Sequence, residues 1–239
     1  MKNRIRFKRG VLLLIAGIFA LFIFAPEKGE ERLSEIFNVF GSFSQNFESF
    51  EKEDIEVLRE KPFEGEEDLV KESRKAKPYE EYMPLDLLGR CGRAVAVLDS
   101  SGMPEGERGS IGEYRPSGWH TVTYPGLPGR YLYNRGHLIA FCLGGESTDN
   151  MQNLITMTRQ CNENMIPYEI ETARYLEESP KRKVLYRVSP EFEGEELLAR
   201  SLRMEILSLD TKRLSHNLRL YNVQEGIEID YTEGRSRQR

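Results

Sequence analysis

The sequence predicts an α+β domain behind an N-terminal segment directed to the membrane. Three observations point there: short, partly alternating strand-like runs from residue 91 onward, one long helical stretch among them, and a 15-residue apolar run near the start. The chain has 239 residues, 39% of them hydrophobic and 10% aromatic, enough to bury a core in one sizeable domain plus an appendage, or in two small ones. Three cysteines in that length exclude a disulfide-dense mini-protein, and a single apolar run excludes a polytopic membrane protein. A net charge of -5 provides no overall basic field for nucleic acid.

Lys2, Arg4, Arg6, Lys8 and Arg9 precede the run Val11 to Ala25, and Glu27, Glu30 and Glu31 follow it. Basic before and acidic after keeps residues 1–10 in the cytoplasm and sends the body outward. Fifteen residues are few against the roughly 20 that cross a bilayer. Cleavage after Ala25 would put the bulky Ile23 at the -3 position and Pro26 after the cut, so an uncleaved single-pass anchor over 11–25 is the leading expectation. The alternatives are a cleaved signal, which makes the protein secreted, and a buried core helix.

Residues 26–80 are rich in Glu and Lys and read as a charged linker, most clearly in KPFEGEEDLVKESRKAKP. Within it Ile36, Phe40, Phe43, Phe47, Phe50 and Val57 recur at heptad-like spacing, with Asp54 in the missing slot. A helix over 33–58 would suit an oligomerising coil, a membrane-surface helix or simple packing on the main domain. Gly41 and Ser42 weaken that helix.

The folded domain is expected over 81–234, with a flexible tail at 235–239. CGRAVAVL (91–98), YLYNRGHLI (131–139) and QNLITMT (152–158) read as strands, SSGMPEGERG (100–109) as turn and CLGGESTDN as loop. Residues 159–179 read as helical, with Pro167 as an interruption or as the first residue of a second helix. VLYRVSP, SLRMEILSL, NLRLYNV and GIEIDY complete a set of short strands.

Of the three histidines, His137 stands out at a strand end directly after Arg135 and Gly136. Like charge from the arginine favours the neutral imidazole that a general base requires near pH 7. Asn162, Asn164, Glu169 and Glu171 follow one strand and one loop later, and their oxygens suit a hard cation rather than zinc. On a continuous helix Asn162 and Glu169, seven residues apart, share a face. The structural alternative makes Asn162 a helix cap and Glu169 a first-turn acid. His120 beside Trp119 reads as packing and His216 as a turn residue, while Cys91, Cys142 and Cys161 read as buried thiols, with a Cys142–Cys161 disulfide as the rival arrangement.

RGH, a loop, QNLIT with Asn153, and a helix bearing Asn162 form an ordered set. With RGSIGEYRPSGWHTV upstream and PYE, VLYRVSPEFEG and NVQEGIEIDYTEG downstream, residues 86–234 resemble the His-Me finger (ββα-metal) nucleases. The likeness is to the bacterial DNA/RNA non-specific endonucleases, a group that includes streptococcal DNA-entry nucleases. It implies a ββα-metal motif embedded in a mostly antiparallel sheet and a Mg2+-dependent endonuclease (Mn2+ as a substitute) with little sequence preference. The substrate would be DNA, with RNA as a second candidate, and the product ends 5′-phosphates. It also implies His137 as general base, Asn162 as the one direct protein ligand of the metal, Glu169 as holder of its waters, Asn153 as a brace, and Arg135 as the charge on the scissile phosphate. Many relatives carry Asp where this chain has Asn134, which removes an orienting charge. From Tyr82 to Arg239 there are 20 Lys+Arg against 22 Asp+Glu, so cations must be concentrated locally. Arg135, Arg159 and Arg174 are the candidates for nucleic-acid contact, with residues 181–183 as a more distant patch. The rival function is a catalytically inactive, membrane-anchored nucleic-acid receptor.

Overall fold

Where each strand is apolar decides where it lies. AVAVL, the most continuously apolar of them, is buried at all five positions and sits inside the sheet with both faces covered. The computed structural model describes residues 54–106, 109–127 and 129–239. Its elements in order are β1 (Ile55–Val57), α1 (Glu67–Lys75), β2 (Tyr79–Tyr82), β3 (Ala94–Leu98), β4 (Tyr133–His137), α2 (Phe141–Gly144), β5 (Leu154–Thr158), α3 (Arg159–Glu177), β6 (Val184–Glu191), β7 (Ser201–Ser208), β8 (Ser215–Tyr221), β9 (Ile227–Asp230) and β10 (Arg235–Gln238). A six-stranded antiparallel sheet runs β1-β8-β7-β6-β3-β2, while β4 pairs with β5 and β9 with β10 in separate two-stranded sheets. Among the described residues, 54–122 and 132–239 form one compact unit and 123–131 fall in a second, a turn in which Thr123 bridges Tyr131.

Alternation along the strands divides the core. Ala94, Ala96 and Leu98 of β3, Tyr186 and Val188 of β6, and Met204 and Ile206 of β7 join Ile155, Met157, Cys161, Met165 and Leu176 from β5 and α3 in the main cluster. On the opposite face Val95, Val97 and Leu185 pack with Phe63 and Leu209 against Leu69 and Val70 of α1. The sheet is therefore covered by the β4–β5–α3 unit on one side and partly by α1 on the other.

Several expectations need correction. The ββα unit is not embedded in the antiparallel sheet; its hairpin pairs only with itself and packs on the sheet's face. The charged linker ends well before residue 80, because β1, α1 and β2 all belong to the domain. Its charges are used by partners far along the chain: Arg187 binds Glu66 through two hydrogen bonds, and the buried Glu205 accepts from the Phe63 N–H. The helix expected over 33–58 gives way to strand at Ile55–Val57, which pairs with β8; the described residues begin at 54, so the rest of that helix and the apolar run 11–25 lie outside them. Among the described residues no helix is long and apolar enough to cross a membrane. CLGGESTDN is not all loop, since it carries most of α2 and a 3-10 turn over Gly145–Thr148. Pro167 does not divide the helix: α3 runs through it for 19 residues, with packing of Cys161, Met165, Thr172 and Leu176 on one stripe offsetting the lost backbone bond. The tail at 235–239 is largely strand, β10 pairing with β9.

Candidate active site

β4 and β5 place the chemistry. In their register Arg135 opposes Thr156, Gly136 opposes Ile155 and His137 opposes Leu154. Arg135 and His137, two residues apart, thus share one face of the hairpin. Gly136 lies on the other, where an added Cβ would come within 3 Å of the Met157 side chain, including its Cβ at 2.9 Å. Glycine between Arg and His is therefore a packing requirement of the strand pair. β5 leads straight into α3, with the Thr158 hydroxyl capping the helix by accepting the Cys161 N–H. The fully buried Asn222 fixes that junction, accepting from Thr158 N–H and donating to the carbonyls of Thr156 and Ala199.

The His137 ring is buried, and its Nε2 lies 2.7 Å from Asp149 Oδ1. Sequence reasoning missed Asp149. The available signal was that a hairpin's connecting segment returns beside the strand end it closes on, and Asp149 lies five residues ahead of Leu154, the register partner of His137. Asn153 is fully buried. Its carboxamide accepts the Ile139 N–H at 2.8 Å and donates to the carbonyls of Ile139 and Thr148 at 2.9 Å each. One side chain so ties the segment just after His137 to the segment just before Asp149. Asn153→Ala leaves three backbone groups without their buried partner. It is expected to cost about 1–3 kcal/mol per group left unsatisfied, read as a lower urea midpoint, with activity falling further than the loss of folded protein explains.

Arg135 is held more tightly than a free phosphate clamp. Its Nε donates to the Tyr114 carbonyl at 2.7 Å and one terminal nitrogen to the Gly112 carbonyl at 2.9 Å, and its guanidinium lies 4.0 Å over the Trp119 ring. Burial and the nearby Arg115 pull its pKa below the usual arginine value. Trp119 thus acts as the platform of Arg135 rather than as core packing alone. His120 Nε2 donates to the Glu233 carbonyl at 2.9 Å, at the surface.

On α3, Asn162 and Glu169 lie about 20° apart around the axis and roughly 10 Å apart along it. Both are half-buried, on the flank of the apolar stripe. Glu169 has burial as the sole cause of its shift, which pushes its carboxyl up to about 8, and no cation is paired with it among the described residues. Its charge also helps to raise the pKa of the neighbouring Cys142 thiol and Tyr186 phenol, after the larger effect of burial. No hydrogen bond ties the Asn162 carboxamide to another described residue. An amide oxygen and a desolvated carboxyl are hard donors that fit Mg2+ or Mn2+. Among the described residues there is no cluster of three or more His, Cys, Asp or Glu.

Other candidates separate. Arg159 opens α3 and pairs with Glu163 at 3.8 Å, reaching Asn134 Oδ1 at 3.5 Å, so Asn134 looks to the helix entry. Arg174 lies twelve residues beyond Asn162 on α3, about 18 Å along the axis. Arg182 is occupied by Asp210 and the Tyr175 ring, and Lys183 Nζ donates to the Ala76 carbonyl, so two of the three cations of the 181–183 patch are engaged within the fold. Glu171 pairs with His216 at 2.9 Å. Asn164 is buried. All three cysteines are free thiols, which leaves the Cys142–Cys161 disulfide unformed.

A family model for DNA/RNA non-specific endonucleases matches residues 71–209, more than half of the chain. The chain belongs to the DNA/RNA non-specific endonuclease family. The match takes in Arg135, His137, Asn153, Asn162 and Glu169, and it begins within α1, ahead of the boundary expected at 81. A deoxyribonuclease of Streptococcus dysgalactiae subsp. equisimilis is 33% identical over 109 residues, which are 44% of this chain and 32% of that relative; the chain spans about a third of the relative's length. The crystal structure of NucA from Streptococcus agalactiae with a magnesium ion bound superposes with a TM-score of 0.62 at 25% identity, covering 69% of this chain and 81% of NucA. The Sda1 nuclease with a bound zinc ion gives 0.57 at 27% identity, over 65% and 78% of the two chains. The endonuclease fold is thus present with its mostly antiparallel sheet and its ββα unit.

Proposed function

We propose that this family member is an extracytoplasmic, Mg2+-dependent endonuclease that hydrolyses phosphodiester bonds in DNA, with RNA as a second substrate, and leaves 5′-phosphate ends. One observation carries the reading. The β4–β5–α3 unit presents an imidazole held by Asp149 from its first strand, and from the flank of its helix two oxygen donors without partners among the described residues. His137 takes a proton from the attacking water, at the ring nitrogen not engaged by Asp149. Arg135, fixed on Trp119, holds positive charge two residues away on the same face for the phosphate. Asn162 would hold the metal directly, and Glu169 would hold waters around it. When bound, the divalent ion supplies Lewis-acid stabilisation of phosphate oxygens. Chemistry on phosphate and water requires no base edge to be read, so low sequence preference is expected.

Location outside the cytoplasm rests on the basic, apolar and acidic succession of residues 2–31. Anchoring through 11–25 and self-association through 33–58, outside the strand at Ile55–Val57, belong to the same proposal.

The test is relaxation of supercoiled plasmid, and digestion of RNA, by the purified chain. Cutting is expected with Mg2+ or Mn2+ and none with EDTA, and the rate should fall steeply as salt rises. Asn162→Ala is expected to raise the Mg2+ concentration for half-maximal rate and to lower the maximum. A clean protein that binds DNA without Mg2+-dependent cutting would establish the receptor instead.

A further inference from the structure

We propose that Asp149 is the positioning residue of His137, setting the ring's tautomer and orientation so that Nδ1 is the nitrogen that accepts the proton. The inference rests on the nuclease reading above and deepens it. Asp149 Oδ1 lies 2.7 Å from His137 Nε2, and the two side chains are 16% and 8% exposed, so solvent competes little for the bond. A carboxylate only accepts, so Nε2 carries the hydrogen and the neutral ring keeps its lone pair on Nδ1. When the ring gains the water's proton at Nδ1 it keeps its own on Nε2, and the bond to Asp149 becomes charge-assisted. No proton passes to the carboxylate.

The support for Asp149 is itself built in. Its backbone carbonyl accepts the Tyr114 hydroxyl at 2.9 Å, and Tyr114 also provides the carbonyl that holds Arg135. Thr148, one residue earlier, is gripped by Asn153, whose other bonds hold Ile139, two residues beyond His137. Ring and carboxylate are thus referenced to one buried carboxamide. Among the described residues, Arg135 at this face of β4 shares the Gly112 and Tyr114 carbonyls with Arg115.

The experiment uses the full chain labelled with 15N-histidine, its His137 signals assigned by loss in His137→Gln, together with plasmid kinetics. Wild type is expected to show the Nε2–H tautomer at His137. Asp149→Asn is expected to mix the tautomers and to lower kcat roughly 10- to 100-fold, the range seen when the hydrogen-bond partner of a metal-bound imidazole is lost. KM should stay within about twofold, because neither Asp149 nor its charge touches substrate. An Nδ1–H tautomer in wild type overturns the proposal by itself, whether or not any variant folds. So does an Asp149→Asn protein with wild-type kcat, or one whose kcat falls while the tautomer stays put. A wild-type chain with the Nε2–H tautomer but no metal-dependent cutting would sink the nuclease reading while leaving the Asp149–His137 coupling established.

Discussion

His137→Ala is expected to lower kcat for plasmid cleavage by about 10²–10⁴-fold, the contribution of a positioned general base, while leaving the melting temperature within a few degrees of the parent. The two halves of that expectation have different origins. The ring contacts Asp149, which is itself 16% exposed and can take solvent when the imidazole is removed. The strand pairing around position 137 is made by backbone groups, and Leu138 N–H to the Asn153 carbonyl continues it, so the hairpin does not need the side chain. Activity has no such substitute, since His120 and His216 are engaged at Glu233 and Glu171. Single-turnover rates at saturating Mg2+ decide the matter. A variant keeping more than a small fraction of wild-type turnover would show that another group activates the water.

Arg187→Ala is expected to destabilise the domain by about 3–5 kcal/mol, because it strands a buried carboxylate. Glu205 is 1% exposed. It receives Arg187 Nε at 2.6 Å and the Phe63 N–H at 2.9 Å, and the same guanidinium binds Glu66 twice and lies 4.6 Å over the Phe63 ring. Removing Arg187 therefore releases the 61–66 segment from the sheet as well as leaving Glu205 charged and unpaired by its main partner. Urea denaturation of the full chain at neutral pH measures the loss, and Arg187→Met combined with Glu205→Leu should recover most of it. Equal stability of parent and Arg187→Ala would mean that Glu205 is neutral in the fold. The network also has an acid limit. Hydrogen bonding to Arg187 holds the Glu66 carboxyl below its ordinary value, so its contribution is present above the unfolded pKa and fades as pH falls through the lower folded one.

The elements legible in the sequence are those whose signal is local. AVAVL, YNRGH, LITMT and the strands after 184 alternate or run apolar over their own length, and the structure has strands at each. His137, Asn153 and Asn162 sit in RGH, QNLIT and the helix that follows, and the likeness of that ordered set to the His-Me finger nucleases is what singles them out. Pro167 misled, because a helix interior normally excludes proline and only the packing of α3 on the sheet keeps the turn intact. The segment 61–78 misled more strongly. Its composition is that of a solvated linker, yet Phe63 is 2% exposed and Glu66 is bound by an arginine 121 residues away.

By itself the sequence determined which chain segments become the hairpin and helix of a nuclease unit, and which side chains they carry, because periodicity and residue type act over a few neighbouring positions. The tertiary structure alone decided that Asp149 meets the His137 ring, that Trp119 and two carbonyls hold Arg135, and that acidic residues before 80 complete the domain. Each of those depends on a hydrogen bond or ion pair whose strength comes from exclusion of water, and that exclusion exists only once distant segments have closed around it.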